Sequence, residues 1–388
     1  MNRRNFFKLT GTFSGGVLLL PDFLYSFASQ ENLSAGDSCL VFIQLNGGND
    51  GLNTFVPYQD DLYYHYRPNI ALSKNEVLAV GGGMAFHPAL KSFAAMQQQG
   101  HLSVIQNVGY PEPDHSHFRS QEIWQTASDA NKHLTEGWLG RFLDAHYKEH
   151  HPTAAINADS IDNLALRGVE PNTLTVTYRN DLKSKSEEKG IKLSDNPQLD
   201  FVRKIAGSIA GGSDAIQTAL KKAAPSDVAY PKTELSRNME WIAKLVKGGL
   251  NSKVYYTSLN GFDTHHAQLE GQASKLSIVN DAVYAFYNDL KHAKKLDEVT
   301  IVLFSEFGRR VADNGKGTDH GTAAPMFIIG GKNKGKILGS NPNLKDLDNG
   351  DLKYETDFRS VYASLLKDKF SFDPSQIGIK NAALKGLF

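Results

Sequence analysis

The sequence predicts an α/β fold: a doubly wound, mostly parallel sheet flanked by helices, with an inserted cap region. Three observations carry this. Short, nearly continuous apolar runs occur at residues 39–45, 102–108 and 298–304; polar or glycine-rich sequence follows each; and stretches of helical spacing lie between them. Strands buried on both faces read as unbroken apolar runs, and alternating helices supply the cover.

Cys39-Leu40-Val41-Phe42-Ile43-Gln44-Leu45 reads as the first strand, and Asn46-Gly47-Gly48-Asn49-Asp50-Gly51 as a tight loop at its carboxyl end. Residues 88–99 place Leu90, Phe93, Ala94 and Met96 at helical spacing behind Pro88, and 102–108 returns as a strand. Gly81-Gly82-Gly83 lacks the context a phosphate loop needs and reads as a turn. From about 125 to 250 the strand signal weakens, and 180–198 is dominated by Lys, Ser, Asp and Glu, which predicts an exposed insertion or cap. Residues 233–246 resume helical spacing, and 253–259 read as a strand. The stretch 271–295, with Leu276, Val279, Ala282, Val283, Phe286 and Leu290, reads as a long amphipathic helix. Strands at 298–304 and 325–330 and a helix at 357–367 complete the pattern.

The 388 residues balance 42 Lys and Arg against 42 Asp and Glu, with 40% hydrophobic content. Disorder and a polycationic nucleic-acid binder are thereby excluded. Cys39 is the single cysteine, which rules out an internal disulfide and a cysteine zinc site. Residues 1–28 read as an export signal: Arg3, Arg4 and Lys8, then Val17-Leu18-Leu19-Leu20, then Ser26-Phe27-Ala28. The order of Arg3, Arg4, Phe6, Phe7 and Lys8 matches a twin-arginine signal, with the twin-arginine export machinery as transient partner and a periplasmic or otherwise exported location. Pro21 and Asp22 interrupt the apolar stretch, so no stable membrane span is expected in the mature form. Residues 29–388 are then expected as a single domain carrying the insertion.

Ligands of open α/β sheets bind beyond the carboxyl ends of the strands. Asp50 follows the first strand there, Asp114-His115-Ser116-His117 the strand at 102–108, and Asp263-Thr264-His265-His266 the strand at 253–259. Glu306 follows 298–304, and Asp319-His320-Gly321 precedes the last strand. Neutral imidazole and carboxylate oxygen replace the hydration shell of a divalent cation, so this convergence predicts a metal site. Each piece also has a structural reading. Asp50 serves equally as a turn residue, Asp263 and Ser116 as helix caps, Glu306 as an ion-pair partner of Arg309 or Arg310, and Asp319 as a prop for an imidazole.

Gly47-Gly48-Asn49-Asp50-Gly51-Leu52-Asn53, Ser116-His117-Phe118, Gly137-Trp138-Leu139-Gly140-Arg141, Phe262-Asp263-Thr264-His265, Ser305-Glu306-Phe307-Gly308-Arg309 and Gly317-Thr318-Asp319-His320-Gly321 together resemble the bacterial domain-of-unknown-function family 1501. That family is similar to the alkaline-phosphatase-like superfamily, which includes sulfatases and phosphodiesterases. The resemblance implies Asp50, Asp263, His265, Glu306 and His320 as metal ligands and Ser116 as nucleophile; His117, beside that serine, or Asp319 is the candidate to complete the ligand set, and Arg309 or Arg119 the candidate anion clamp. Two departures stand out. Phe307 occupies a position where the superfamily has a ligand imidazole, and Ala267 one where it usually has the second histidine. Sulfatase-type maturation is unsupported, because Ser116 is followed by Phe118 and Ser120 where that modification needs Pro and Arg.

The function these residues imply is an exported, metal-dependent hydrolase or transferase acting on a small phosphate or sulfate ester, or on a sulfated or phosphorylated glycan. Zinc is the first choice of cofactor, with calcium, magnesium or manganese as alternatives. The rival expectation is a non-catalytic exported structural or carbohydrate-binding protein that retains the fold.

Overall fold

The computed structural model describes residues 38–159, 161–176 and 197–388, the side chains of 197–208 excepted. The export signal expected over 1–28 lies outside the described residues, as does most of the charged stretch 180–198. The first strand, β1 (Cys39–Asn46), leads through the single-turn helix α1 (Gly51–Thr54) to β2 (Phe55–Val56), α2 (Asp61–Tyr66), β3 (Leu78–Gly81) and β4 (Met84–Phe86). Then come α3 (Lys91–Gln98), β5 (Leu102–Gly109), α4 (His117–Thr126), α5 (Trp138–His146), β6 (Ala155–Asn157) and β7 (Thr173–Thr175). They are followed by α6 (Pro197–Lys222), α7 (Glu234–Lys247), β8 (Val254–Asn260), α8 (Gln268–His292), β9 (Val299–Phe304) and β10 (Ala324–Gly330). Short strands β11 (Ile337–Leu338), β12 (Leu347–Asp348), β13 (Asp351–Leu352) and β14 (Thr356–Asp357) precede α9 (Phe358–Phe370).

The main sheet runs β11-β5-β10-β9-β1-β8-β6-β7, with β14 also paired to β5. It is α/β and mostly parallel, as the apolar runs predict: β1 pairs in parallel with both β8 and β9. Strand β10 differs, lying antiparallel to β5 and β9. Residues 305–323, which join β9 to β10, contain no helix. A linker without a crossover helix is in keeping with an antiparallel neighbour. The stretch around 125–250, expected as an insertion or cap, contributes β6 and β7 to the sheet edge and α7 to the core.

Both faces of the sheet are covered. Val41, Ile43 and Leu45 of β1 pack with side chains of α3, α7 and α8, whereas Leu40 and Phe42 pack with those of α4, α5 and α9. Each large apolar side chain so buried contributes roughly 1.5–3 kcal/mol relative to exposure. The carboxyl ends of β1, β8 and β9 are thereby held side by side, and three loops from distant parts of the sequence meet there.

Candidate metal centre

Those three loops are clasped by one buried arginine. Gly47 and Gly48 leave β1 with φ of +118° and +65°, a backbone region that side chains with a Cβ rarely adopt. A Cβ on Gly47 would lie 2.4 Å from the Asp263 nitrogen, so the β1 and β8 loops touch backbone to backbone. Arg309 bonds the carbonyls of Gly48 through Nε (2.7 Å), of Thr318 through Nη1 (2.8 Å) and of Gly47 through Nη2 (2.6 Å). The same Nη2 meets Asp263 Oδ1 at 2.5 Å. The β9–β10 loop folds back on itself: Gly321 N–H donates to Gly308 O, Gly308 N–H to Thr322 O, and Arg310 N–H to Asp319 O. This pairing sets His320 opposite Arg309.

Four side chains converge at the junction. Asp263 Oδ1 lies 3.0 Å from His265 Nε2, 3.2 Å from His320 Nε2 and 3.5 Å from His117 Nε2. His265 Nε2 and His320 Nε2 are 3.0 Å apart. Each imidazole is pinned through its other nitrogen. His117 Nδ1 pairs with Glu306 Oε1 (2.9 Å), His265 Nδ1 with Asp319 Oδ1 (3.1 Å), and His320 Nδ1 with the His115 carbonyl (2.7 Å). A carboxylate or carbonyl behind each ring fixes its tautomer so that Nε2 is the nitrogen free to ligate.

The fit to a metal ion can be tested on these atoms. Zinc takes imidazole nitrogen and carboxylate oxygen at about 2.0–2.1 Å in a tetrahedron, so its donors stand roughly 3.3 Å from one another. The donor separations above bracket that value. His117 Nε2, moreover, is buried without a hydrogen-bond partner, a cost that ligation would remove. Donor atoms of His117, Asp263 and His320 all lie within 4.8 Å of one another. These three residues can hold a divalent ion, with His265 standing beside Asp263 and His320.

Electrostatics agree. Burial works to raise the Asp263 pKa, yet Arg309 and the imidazoles prevail and hold it down at about 2, so the carboxylate is ionised. Burial likewise opposes the ionisation of Glu306, but its hydrogen bonds from His117 and backbone N–H groups keep its pKa low. His117 is raised by its bond to Glu306, against burial. His320 is lowered, mainly by burial, which favours the neutral, ligating form.

Not every residue expected at the site is found there in the role expected. Glu306 is fully buried behind His117, where it also accepts the Gly47 N–H at 2.9 Å, and Asp319 stands behind His265; each carboxylate holds an imidazole in place and faces away from the junction. His117, expected beside the nucleophile, offers a donor atom itself. Arg309 has no exposed side-chain surface, and its donors are spent on the three loops and Asp263, so it clasps the site and does not fit an anion clamp. Asp50 belongs to a separate buried cluster with Arg67 and Gln268. Ser116 is exposed at the start of α4, and its side chain makes no cap bond. Phe307 is buried, its ring 4.9 Å from those of both His117 and His320, an apolar floor under the imidazoles. Arg67 and the carbonyl of His115 carry no sequence signal that would single them out.

Residues 242–366 match the family model for DUF1501, a protein of unknown function, which includes three of the six motifs quoted above. Among curated proteins nothing matches. Similar solved structures include the C-terminal periplasmic domain of EcEptC from Escherichia coli in complex with Zn (10% identity, 77% of this chain and 74% of that one, TM-score 0.36). Others are the phosphonate monoester hydrolase SpPMH from Silicibacter pomeroyi (10% identity, 87% and 84%, TM-score 0.41) and a protein in the alkaline phosphatase superfamily from Vibrio parahaemolyticus (10% identity, 79% and 63%, TM-score 0.37). Among the described residues no helix is long and apolar enough to cross a membrane.

Proposed function

We propose that the protein is an exported, metal-dependent hydrolase or transferase of phosphate or sulfate esters. The single observation that carries this reading is the convergence of three imidazole Nε2 atoms on Asp263, each ring pinned from behind and His117 Nε2 buried without a partner. The imidazole-rich donor set favours zinc over calcium or magnesium, which prefer oxygen. A divalent ion held there supplies Lewis-acid polarisation of an ester oxygen. The chain does the rest. Asp263 stays ionised, Glu306 and Asp319 fix the rings of His117 and His265, and Phe307 keeps water from the inner side of the imidazoles. Ser116, exposed and adjacent to His117, is the nucleophile in this reading, its hydroxyl uncommitted to a helix cap. Export rests on the Arg3-Arg4 signal.

One observation favours a second reading, a non-catalytic exported binding protein. Neither Arg309 nor Arg119, the candidate anion clamps, is free for an anion: Arg309 is buried in its clasp, and Arg119 is engaged by Glu122 and by the carbonyls of Ala130 and Lys132. A screen of phosphomonoesters, phosphodiesters and sulfated sugars with zinc, manganese, magnesium or calcium supplied decides between them. Turnover abolished by Asp263→Ala and reduced at least about a hundredfold by Ser116→Ala is the expected result. No turnover with any metal would favour the binding protein.

A further inference from the structure

We infer that Arg67 is a resident cation standing where the charge of a second metal ion would otherwise be needed, so that the centre holds one ion and not two. This rests on the metal-centre reading above. Asp50 closes the loop after β1, the place at which the motif resemblance implies a metal ligand. Its carboxylate is already committed. Oδ2 receives Arg67 Nη1 at 2.6 Å and Gln268 Nε2, while Oδ1 receives the backbone N–H groups of Leu52 and Asn53 at 3.1 and 3.3 Å. A carboxylate has about four acceptor positions, and here four donors fill them. The side chains of both Asp50 and Arg67 have no exposed surface.

The guanidinium is equally committed. Arg67 Nε donates to Val311 O at 2.9 Å, Nη1 also to Asn53 Oδ1 at 2.9 Å, and Nη2 to Arg310 O at 2.9 Å. An arginine cannot shed its proton to make room for a metal, and a divalent ion at Asp50 would face that fixed charge in a buried setting. Removing one partner of such a pair leaves the other charge buried alone, so the pair persists. The other groups a second ion would need are also taken. Glu306 accepts from His117, Gly47 N–H and Ser305 Oγ, and Phe307 presents carbon where an imidazole would be required. Arg67 is nevertheless connected to the centre. Gln268 bridges Asp50 to the Thr318 hydroxyl (2.6 Å), and the Thr318 carbonyl accepts from Arg309, which holds Asp263.

The test is metal stoichiometry. The full chain, stripped with chelator, reloaded with excess zinc and dialysed, is expected to retain about one zinc per chain by elemental analysis. Two tightly held ions would overturn this inference and leave the metal centre standing. None would overturn the metal-centre reading itself, and this inference with it. Asp50→Asn supplies a second measurement: the folded variant is expected to hold the same number of zinc ions per chain as the wild type. Loss of a zinc ion from the folded variant would make Asp50 a ligand and contradict the inference. Should Asp50→Asn fail to fold, the wild-type stoichiometry alone decides.

Discussion

His117 uses its two ring nitrogens in opposite senses: Nδ1 is held by Glu306 at 2.9 Å, while Nε2 is buried with no hydrogen-bond partner. The first fixes the second. Glu306→Gln removes the charge behind the ring while keeping its shape, so zinc affinity is expected to fall about 10–100-fold with the fold intact, read by chelator competition and circular dichroism. An unchanged affinity would remove Glu306 from the centre. The same pair sets a pH dependence. The Glu306 bond raises the His117 pKa, and zinc must displace that proton to bind. Retention of zinc should therefore decline as pH falls, beginning above the ordinary histidine value of about 6.5. Metal content after dialysis at stepped pH checks this; full retention down to about pH 5 would contradict it. At this scale the sequence is legible as residue types gathered at strand ends, and Asp263, His265 and His320, singled out that way, lie together in the structure. The division between ligand and prop was not legible, because it depends on which atom of each ring faces inward. Arg67 was invisible for a related reason: an arginine ending a tyrosine-rich segment reads as surface until its partner Asp50 is seen to be buried.

The loops that build the centre are clasped by the Arg309 side chain and also approach one another closely at their glycines. Gly48 shows this best, since a Cβ there would lie 2.1 Å from Phe307 Cε2 and the residue already sits at φ +65°. Gly48→Ala should cost about 1–2 kcal/mol for the backbone alone, with more from displacing Phe307 under the imidazoles. Urea denaturation measures the first effect and zinc affinity the second, and a variant indistinguishable in both would show that the close approach is unimportant. Among the elements, β1, β5, β8 and β9 were readable from their apolar runs because strands buried on both faces need little else. The direction of β10 was not readable from its own residues; the linker before it, 305–323, carries no crossover helix. Strands β6 and β7 have only three residues each, too few for a periodic signal, and they exist because β8 offers an edge.

Taken as a whole, the chain places its chemistry at one end of a sheet whose two faces are sealed. Cys39 reports on that seal. Burial in β1 pushes its thiol up to about 12, so the native protein should not react with a thiol reagent near pH 8, whereas the urea-unfolded chain should release one equivalent. Rapid labelling without denaturant would mean that the sheet opens far more readily than its packing allows. The metal centre proposed above, one divalent ion held by His117, Asp263 and His320, is tested most directly by zinc K-edge X-ray absorption on the loaded protein. The expected spectrum has a first shell of nitrogen and oxygen at about 2.0–2.1 Å with the outer-shell scattering of imidazole, diminished or lost in His320→Ala. An all-oxygen shell without imidazole scattering, or a spectrum unchanged by His320→Ala, would contradict it.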